Sequence, residues 1–166
     1  MSKCLFVVDM QEIIVGKQHA KFFKYDTKLV EAVNQRISKY DSNNVIYIIQ
    51  LMKRNFINSL LPFKAYKGTK EAEIAEEILR VNNTVVEKYK GDAFSNSELV
   101  NILKAKNVNE IEIVGVDGGG CVSLTAIGAI KAGYKVIVNT NAIGTMYEKN
   151  KRKYFKKLMA LGAEFI

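Results

Sequence analysis

The chain has 166 residues, 48% of them hydrophobic, and a formal net charge of +8. This length suits one domain with a substantial core and is short for two. No apolar run approaches the roughly 20 residues that cross a bilayer, and the first residues lack a secretory core, so we expect a cytoplasmic protein without a membrane partner. The two cysteines, Cys4 and Cys121, make no disulfide framework or metal spacing, and a reducing compartment keeps both as thiols.

Apolar runs alternate along the chain with segments of helical periodicity. The predicted strands are 4–9, 44–51, 84–88, 111–116, 135–139 and a short one near 163–166. The predicted helices are 26–40, 70–80, 95–107 with a capping box at Ser95 and Glu98, 121–133, and the lysine-rich stretch 149–157. Strands that are apolar on both faces predict a mostly parallel six-stranded sheet, in a three-layer α/β/α, Rossmann-like domain over residues 1–166.

The segment at about 52–69 lacks regular periodicity and contains the only proline and several aromatic residues. Such a segment is typical of a lid or pocket wall. The candidate wall residues are Phe56, Phe63, Tyr66 and Tyr89. The alternative is that these rings pack beneath the loop or against a neighbouring subunit.

Ligands of parallel α/β sheets bind beyond the carboxyl ends of the strands, and three chemically active residues lie there. Asp9 ends the first strand, Lys88 ends the third, with Lys90 as a competitor, and Cys121 opens the helix after the fourth. A helix N-terminus and a nearby ammonium lower the pKa of a thiol, so we expect Cys121 to be largely thiolate near neutrality. Asp9 would accept the thiol proton and later activate water, while the lysine holds both groups in place.

Three consecutive glycines, 118–120, precede Cys121. Side chains there would fill the space that a substrate carbonyl needs, and the free backbone N–H groups can point at the oxyanion formed when sulfur attacks. We therefore expect Gly118 to contact substrate, and we expect polar contacts from Gln11 and Asp117. The alternatives are a simple tight turn, or a nest of N–H groups that holds a phosphate.

Three segments, in order and spacing, resemble the isochorismatase-like cysteine hydrolases, which include nicotinamidases and N-carbamoylsarcosine amidase. VVDMQ (7–11) resembles the opening strand of that family, and VVEKYKGDAFSNSEL (85–99) resembles its Lys-x4-Ala-Phe segment. GVDGGGCVSLTAIGAIKAGYKVIV (115–138) is similar to its Gly-x5-Cys-Val signature. The register of the second segment selects Lys88 over Lys90.

The resemblance implies an Asp9, Lys88 and Cys121 triad that hydrolyses a small amide or a related C–N bond through a thioester. It also implies an oxyanion hole from the backbone N–H groups of Asp117 and Cys121, with a cis peptide bond just before Asp117. The expected partners are a small-molecule substrate and further copies of the chain, because the resemblance implies a homo-oligomer whose subunits help to close each other's sites.

The sequence departs from that family at two places. Nicotinamidases carry an Asp-x-His metal motif after the second strand, whereas IIQLMKRNF (48–56) has neither residue, and His19 cannot make such a site alone. We therefore predict no catalytic metal and no cofactor, and nicotinamide is not the expected substrate. Many members have threonine where this chain has Gly118, which leaves the specificity open.

Two other functions remain open from the sequence. A metal-dependent nuclease would gather Asp9, Asp92 and Asp117 around magnesium and use the positive charge to hold a phosphate backbone. A nucleotide-binding module would use the glycine turn and helix start as an anion site, although the spacing fails the dinucleotide fingerprint. Despite the charge of +8, nucleic acid is not the expected partner, because the lysines of 149–157 first indicate a solvated basic helix.

Overall fold

The fold is built on a central sheet, seen here in a computed structural model that describes residues 2–17 and 19–166. Its strands are β1 (Ser2–Val8), β2 (Val45–Gln50), β3 (Val85–Lys88), β4 (Val108–Val116), β5 (Lys135–Gly144) and β6 (Glu164–Phe165). They lie in the order β3-β2-β1-β4-β5-β6, and every neighbouring pair is parallel. The predicted α/β class with six strands is therefore confirmed.

Helices cover both faces of this sheet. They are α1 (Glu12–Val15), α2 (Lys28–Ile37), α3 (Phe56–Ser59), α4 (Ser97–Ala105), α5 (Cys121–Lys131) and α6 (Glu148–Ala160). Apolar side chains of α4, α5 and α6 form one core layer with Phe6, and those of α2 form the other with Val7. Because adjacent residues of β1 enter opposite layers, the sheet is buried on both sides. Within the described ranges, no helix is long and apolar enough to cross a membrane.

The strand order places a crevice at one edge of the sheet. From β1 the chain first builds outward to β2 and β3, and then continues on the other side with β4, β5 and β6. The direction of building reverses between β1 and β4, and ligands of open α/β sheets bind at such a switch point. Asp9 directly follows β1, and the glycine turn and Cys121 follow β4.

The predicted helix over 70–80 is wrong. Only a short 3-10 turn forms at Lys70–Ala72, and the rest is irregular. The backbone of this segment pairs instead with the chain after β1: Glu12 N–H donates to Glu73 O, and Ala75 N–H donates to Met10 O, both at 2.9 Å. Tertiary pairing thus overrides the helical composition.

The predicted capping box at Ser95 and Glu98 is also wrong. Asn96 is the N-cap of α4, and its side chain accepts the Glu98 backbone N–H. Ser95 lies in the preceding 3-10 turn and donates its hydroxyl to the Asp92 carbonyl. The helix signal was correct, and the cap lies one residue later.

A buried carboxylate, Glu112 on β4, fixes α2 to the sheet. Its side chain is fully buried and accepts hydrogen bonds from Arg36, from Tyr40 at 2.7 Å and from Asn139 at 2.9 Å. Burial alone would raise the pKa of this carboxyl, but these hydrogen bonds outweigh burial and lower it. Glu112 therefore remains ionised between the helix and three strands of the sheet.

Candidate active site

The structure brings Asp9, Lys88 and Cys121 together at the crevice. Lys88 Nζ donates to Asp9 Oδ2 at 2.9 Å, and the charges of both side chains act on the Cys121 thiol. Asp9 has a left-handed backbone, with φ of +53°, a conformation that aspartate adopts more readily than most residues. Its second oxygen, Oδ1, is buried and accepts no hydrogen bond from the described residues. One acceptor thus remains free beside the sulfur.

The Cys121 thiol is protonated in this site. Burial first, and then the Asp9 carboxylate, raise its pKa to about 12, and the Lys88 ammonium offsets only part of that rise. The expected thiolate near neutrality is therefore wrong for the site without substrate. The helix start and the ammonium do not compensate for the loss of water and the buried negative charge next to the sulfur.

Lys88 is a buried ammonium with charged neighbours. Burial alone would lower its pKa, but interactions with Asp9 first, and then with Cys121, outweigh burial and raise it. Its side chain is fully buried. The lysine consequently stays charged and compensates for negative charge on either partner.

Gln50, the last residue of β2, is part of the site, and the sequence analysis missed it. Its Oε1 accepts from Lys88 Nζ at 2.6 Å and lies 3.9 Å from Cys121 Sγ. The strand-end rule that selected Asp9 and Lys88 also applies to this residue, because a polar side chain ends an otherwise apolar strand. The same rule could have found it.

Gln11 supports the site from behind and does not face substrate as expected. It is fully buried, and its Nε2 donates to the carbonyls of Gln50 at 3.0 Å and Ala72 at 2.8 Å. Its Oε1 accepts the backbone N–H of Gln50 at 2.9 Å. These bonds occupy the amide, so the predicted contact between Gln11 and substrate is replaced by a clamp on the end of β2.

The loop at Asp117 contains the expected cis peptide bond, between Val116 and Asp117. The Asp117 carboxylate accepts from Tyr25 Oη at 3.2 Å and from the backbone N–H groups of Gly119 at 2.5 Å and Met146 at 2.6 Å. This side chain therefore fixes the loop instead of making the expected contact with substrate. The backbone N–H groups of Asp117 and Cys121, by contrast, donate to no other described residue.

Packing within the protein requires two of the three glycines before Cys121, Gly118 and Gly119, whereas a Cβ on Gly120 would meet no atom closer than 3.8 Å. A Cβ on Gly118 would lie 2.6 Å from Thr145 Oγ1, and one on Gly119 would lie 2.9 Å from the Tyr147 carbonyl oxygen. Real Cβ atoms do not approach so closely, so glycine lets this loop contact the segment that joins β5 to α6. Gly118 is buried against that segment, and its expected contact with substrate stays a prediction.

A cavity of about 330 Å³ opens beside Gln50. Tyr89 and Phe63 line it, as expected for wall residues. Phe56 does not line this cavity, since its side chain is 79% exposed on α3. Tyr66 does not line it either, and its ring centroid lies 4.7 Å from Arg54 Cζ. The residues that line the cavity are Gln50, Leu51, Met52, Lys53, Asn55, Asn58, Leu61, Phe63 and Tyr89.

The residues after β2 do not fit the zinc site of nicotinamidases. Gln50 offers an amide that is already hydrogen-bonded to Lys88, and Met52 offers a thioether. The His19 ring forms a hydrogen bond with the Gly16 carbonyl. Nowhere in residues 2–17 and 19–166 do three His, Cys, Asp or Glu side chains form a set that could hold a metal ion. The Asp9, Asp92 and Asp117 magnesium cluster of the nuclease alternative is therefore contradicted.

Comparison with known proteins agrees with the fold and with the expected family. A protein-family model, the isochorismatase domain, matches residues 3–166. The structure of a pyrazinamidase/nicotinamidase from Streptococcus mutans superposes with a TM-score of 0.85 at 24% identity, covering 99% of this chain and 100% of that one. N-carbamoylsarcosine amidase from Thermoplasma acidophilum gives a TM-score of 0.81 at 25% identity, covering 99% and 95%.

Similarity to a curated relative is more local. The chain is 32% identical to the probable hydrolase YcaC of Escherichia coli strain K12 over 75 residues, which are 45% of this chain and 36% of that protein. The matched part thus spans about a third of the relative. The domain match covers nearly the whole chain, and on that basis this protein belongs to the isochorismatase family of hydrolases.

Proposed function

We propose that this protein is a metal-independent cysteine hydrolase that cleaves the C–N bond of a small amide or a related compound through a thioester intermediate. The observation that carries the proposal is the Asp9–Lys88 ion pair, which Gln50 Oε1 joins to the Cys121 thiol beside a cavity that Gln50 also lines. Two structural neighbours are named as amidases, which supports amide hydrolysis over the vinyl ether hydrolysis also found in this family.

Acylation begins from the protonated thiol. As Sγ attacks the substrate carbonyl carbon, the thiol proton passes to Asp9, whose Oδ1 has no other partner among the described residues. The carbonyl oxygen becomes an oxyanion that the backbone N–H groups of Asp117 and Cys121 can receive. The C–N bond then breaks, the leaving nitrogen takes the proton from Asp9, and the thioester remains.

Deacylation uses the same groups in reverse. Asp9, ionised again, removes a proton from a water molecule as its oxygen attacks the thioester carbon. The C–S bond breaks, sulfur recovers the proton, and the carboxylic acid product leaves. Throughout, the Lys88 ammonium compensates for negative charge that moves between Asp9 and Cys121, in a setting where water is largely excluded.

Turnover of a panel of small primary amides and N-carbamoyl amino acids tests the proposal. Cys121→Ala should lower kcat/KM about ten-thousandfold, because the covalent route is lost. Cys4→Ala is the matched control, since Cys4 lies in the core layer of β1, and it should retain turnover. A Cys121→Ala variant with wild-type rates would remove the proposal.

We also keep a homo-oligomer and a cytoplasmic location in the proposal. Phe56, Ile57 and Leu60 on and beside α3 are 79%, 74% and 70% exposed, an apolar surface next to the cavity that a second copy would cover. This surface belongs to the proposed lid, residues 52–69. Light scattering of the purified chain tests the assembly, and a monomer at micromolar concentration would contradict it.

Both cysteines are free thiols, as a reducing compartment favours.

A further inference from the structure

We propose that Gln50 is a positioning residue whose neutral amide oxygen holds the Lys88 ammonium between Asp9 and Cys121 without adding a second negative charge beside the sulfur. The inference rests on the proposed function. No motif in the sequence analysis included Gln50, and the nicotinamidase metal motif is absent from this position.

Hydrogen bonding fixes the orientation of the Gln50 amide. A lysine ammonium can only donate, so the group that faces Lys88 Nζ at 2.6 Å must be the amide oxygen. The amide nitrogen accordingly points the other way and donates to the Leu51 carbonyl at 3.1 Å. The oxygen therefore faces both the ammonium and Cys121 Sγ, which lies 3.9 Å away.

The backbone of Gln50 is held as firmly as its side chain. Gln11 donates to its carbonyl at 3.0 Å and accepts from its N–H at 2.9 Å. This pair of bonds fixes the end of β2 relative to the chain that follows Asp9. The amide oxygen is therefore presented from a rigid element.

The Lys88 ammonium needs this acceptor. It has three N–H donors and a fully buried side chain, so each donor requires a protein partner. Asp9 Oδ2 accepts one, Gln50 Oε1 accepts another, and the ammonium also interacts with the Cys121 thiol. Without Gln50, one buried donor would lose its partner, and the ammonium would be free to move toward Asp9 and away from the sulfur.

The neutrality of the amide matters as much as its position. Asp9 already disfavours the thiolate of Cys121. A carboxylate at position 50 would hold Lys88 equally well, yet it would add a second negative charge about 3.9 Å from Cys121 Sγ, the reacting atom. A glutamine supplies the acceptor without that penalty.

Two substitutions separate the effect of the acceptor at position 50 from the effect of its neutrality. Gln50→Glu keeps size and acceptor and adds charge, whereas Gln50→Met keeps size and removes the acceptor. Alkylation of Cys121 by iodoacetamide at pH 9, followed by peptide mass spectrometry, reports thiolate formation without any substrate, and kcat and KM are measured in parallel. Gln35→Met, the same change on the exposed side of α2, is the control.

We expect Gln50→Glu to be alkylated about tenfold more slowly than wild type, because the added charge raises the pKa of Cys121. Gln50→Met should be slowed in alkylation less than Gln50→Glu, because the ammonium moves away from the sulfur but no negative charge is added. It should also lose about tenfold in kcat with little change in KM, since Lys88 loses a buried acceptor. Unchanged alkylation in Gln50→Glu, or wild-type kcat in Gln50→Met, would overturn the inference. If Gln50→Met does not fold, the alkylation of Gln50→Glu alone decides. If the wild type turns over no amide, the proposed function fails while alkylation still tests Gln50.

Discussion

The Cys121 thiol keeps its proton because its surroundings penalise a second negative charge. Sulfur lies largely out of water, beside the ionised Asp9, and Lys88 must serve both groups. In the proposed mechanism, deprotonation is coupled to the transfer of that proton to Asp9 during attack. Asp9 would then disfavour the thiolate before substrate binds and accept the thiol proton during the reaction.

Because of these two effects of Asp9, one substitution should change two measured rates in opposite directions: alkylation of Cys121 should become faster and amide turnover should be lost. Asp9→Asn removes the carboxylate that raises the pKa of the Cys121 thiol and leaves the Lys88 ammonium beside the sulfur. Alkylation by iodoacetamide at pH 8 should become at least about tenfold faster, while amide turnover should be abolished for lack of a proton acceptor. Peptide mass spectrometry and steady-state kinetics check the two halves.

Asp41→Asn, a change at an exposed cap before the amino end of β2, opposite the end where Gln50 lies, is the control and should alter neither quantity. Slower alkylation of Cys121 in Asp9→Asn, or retained turnover, would contradict the assigned role of Asp9.

Single residues differ in how far the sequence could reveal them. Asp9 and Cys121 could be predicted because each lies where a strand ends, and the spacing to Ala93 and Phe94 chose Lys88. The clamp made by Gln11 could not, since its partners at Ala72 and Gln50 lie far away along the chain. The protonation of Cys121 depends on burial and on distances to charges, neither of which a motif records.

The docking of α2 depends on a carboxylate buried inside the protein. Arg36 on α2 donates to the fully buried Glu112, Tyr40 and Asn139 add hydrogen bonds, and Lys3 on β1 lies 3.4 Å from Glu112 Oε2. Because α2 forms one whole covering layer of the sheet, loss of this anchor should destabilise the domain, not only the helix.

Arg36→Met should lower the free energy of unfolding by about 2 kcal/mol at pH 7, since the buried Glu112 carboxylate loses the hydrogen bonds of the guanidinium and keeps only Lys3 as a neighbouring cation. The folded pKa of Glu112 lies below its ordinary value. Its stabilisation is therefore complete above the pKa of the unfolded carboxyl, about 4.3, and is lost as pH falls through the folded pKa. Urea unfolding of wild type and variant should accordingly converge on acidification.

Arg80→Met, on the exposed stretch before β3, is the control and should cost well under 1 kcal/mol. If the difference in free energy of unfolding between Arg36→Met and wild type stays constant or grows below pH 4, Glu112 is not the group through which Arg36 stabilises the domain.

Elements with strong apolar patterns could be predicted, and those decided by tertiary pairing could not. The apolar strand runs all formed, because burial on both faces leaves a continuous signal. The segment 70–80 has helical composition, yet its backbone bonds to the residues after β1. Composition cannot show that a distant chain competes for those N–H and carbonyl groups.

At the scale of the whole molecule, the fold itself places the chemistry. Reversal of strand order between β1 and β4 creates the crevice, and the carboxyl ends of β1, β2 and β3 and the start of α5 contribute one site residue each: Asp9, Gln50, Lys88 and Cys121. Regular alternation of strands and helices predicted the sheet, but periodicity alone did not give the order of its strands. The site is therefore a property of the topology as well as of its residues.

The proposed mechanism depends on a covalent bond between Cys121 and the acyl part of the substrate. The direct measurement is acid quenching of the enzyme during amide turnover, with mass spectrometry of the peptide that contains Cys121, and with hydroxylamine added to a parallel reaction. We predict an acyl adduct on Cys121 and a hydroxamate product released at its expense. Turnover that yields an adduct on another residue, or that yields no hydroxamate and no adduct at all, would contradict a thioester intermediate on Cys121.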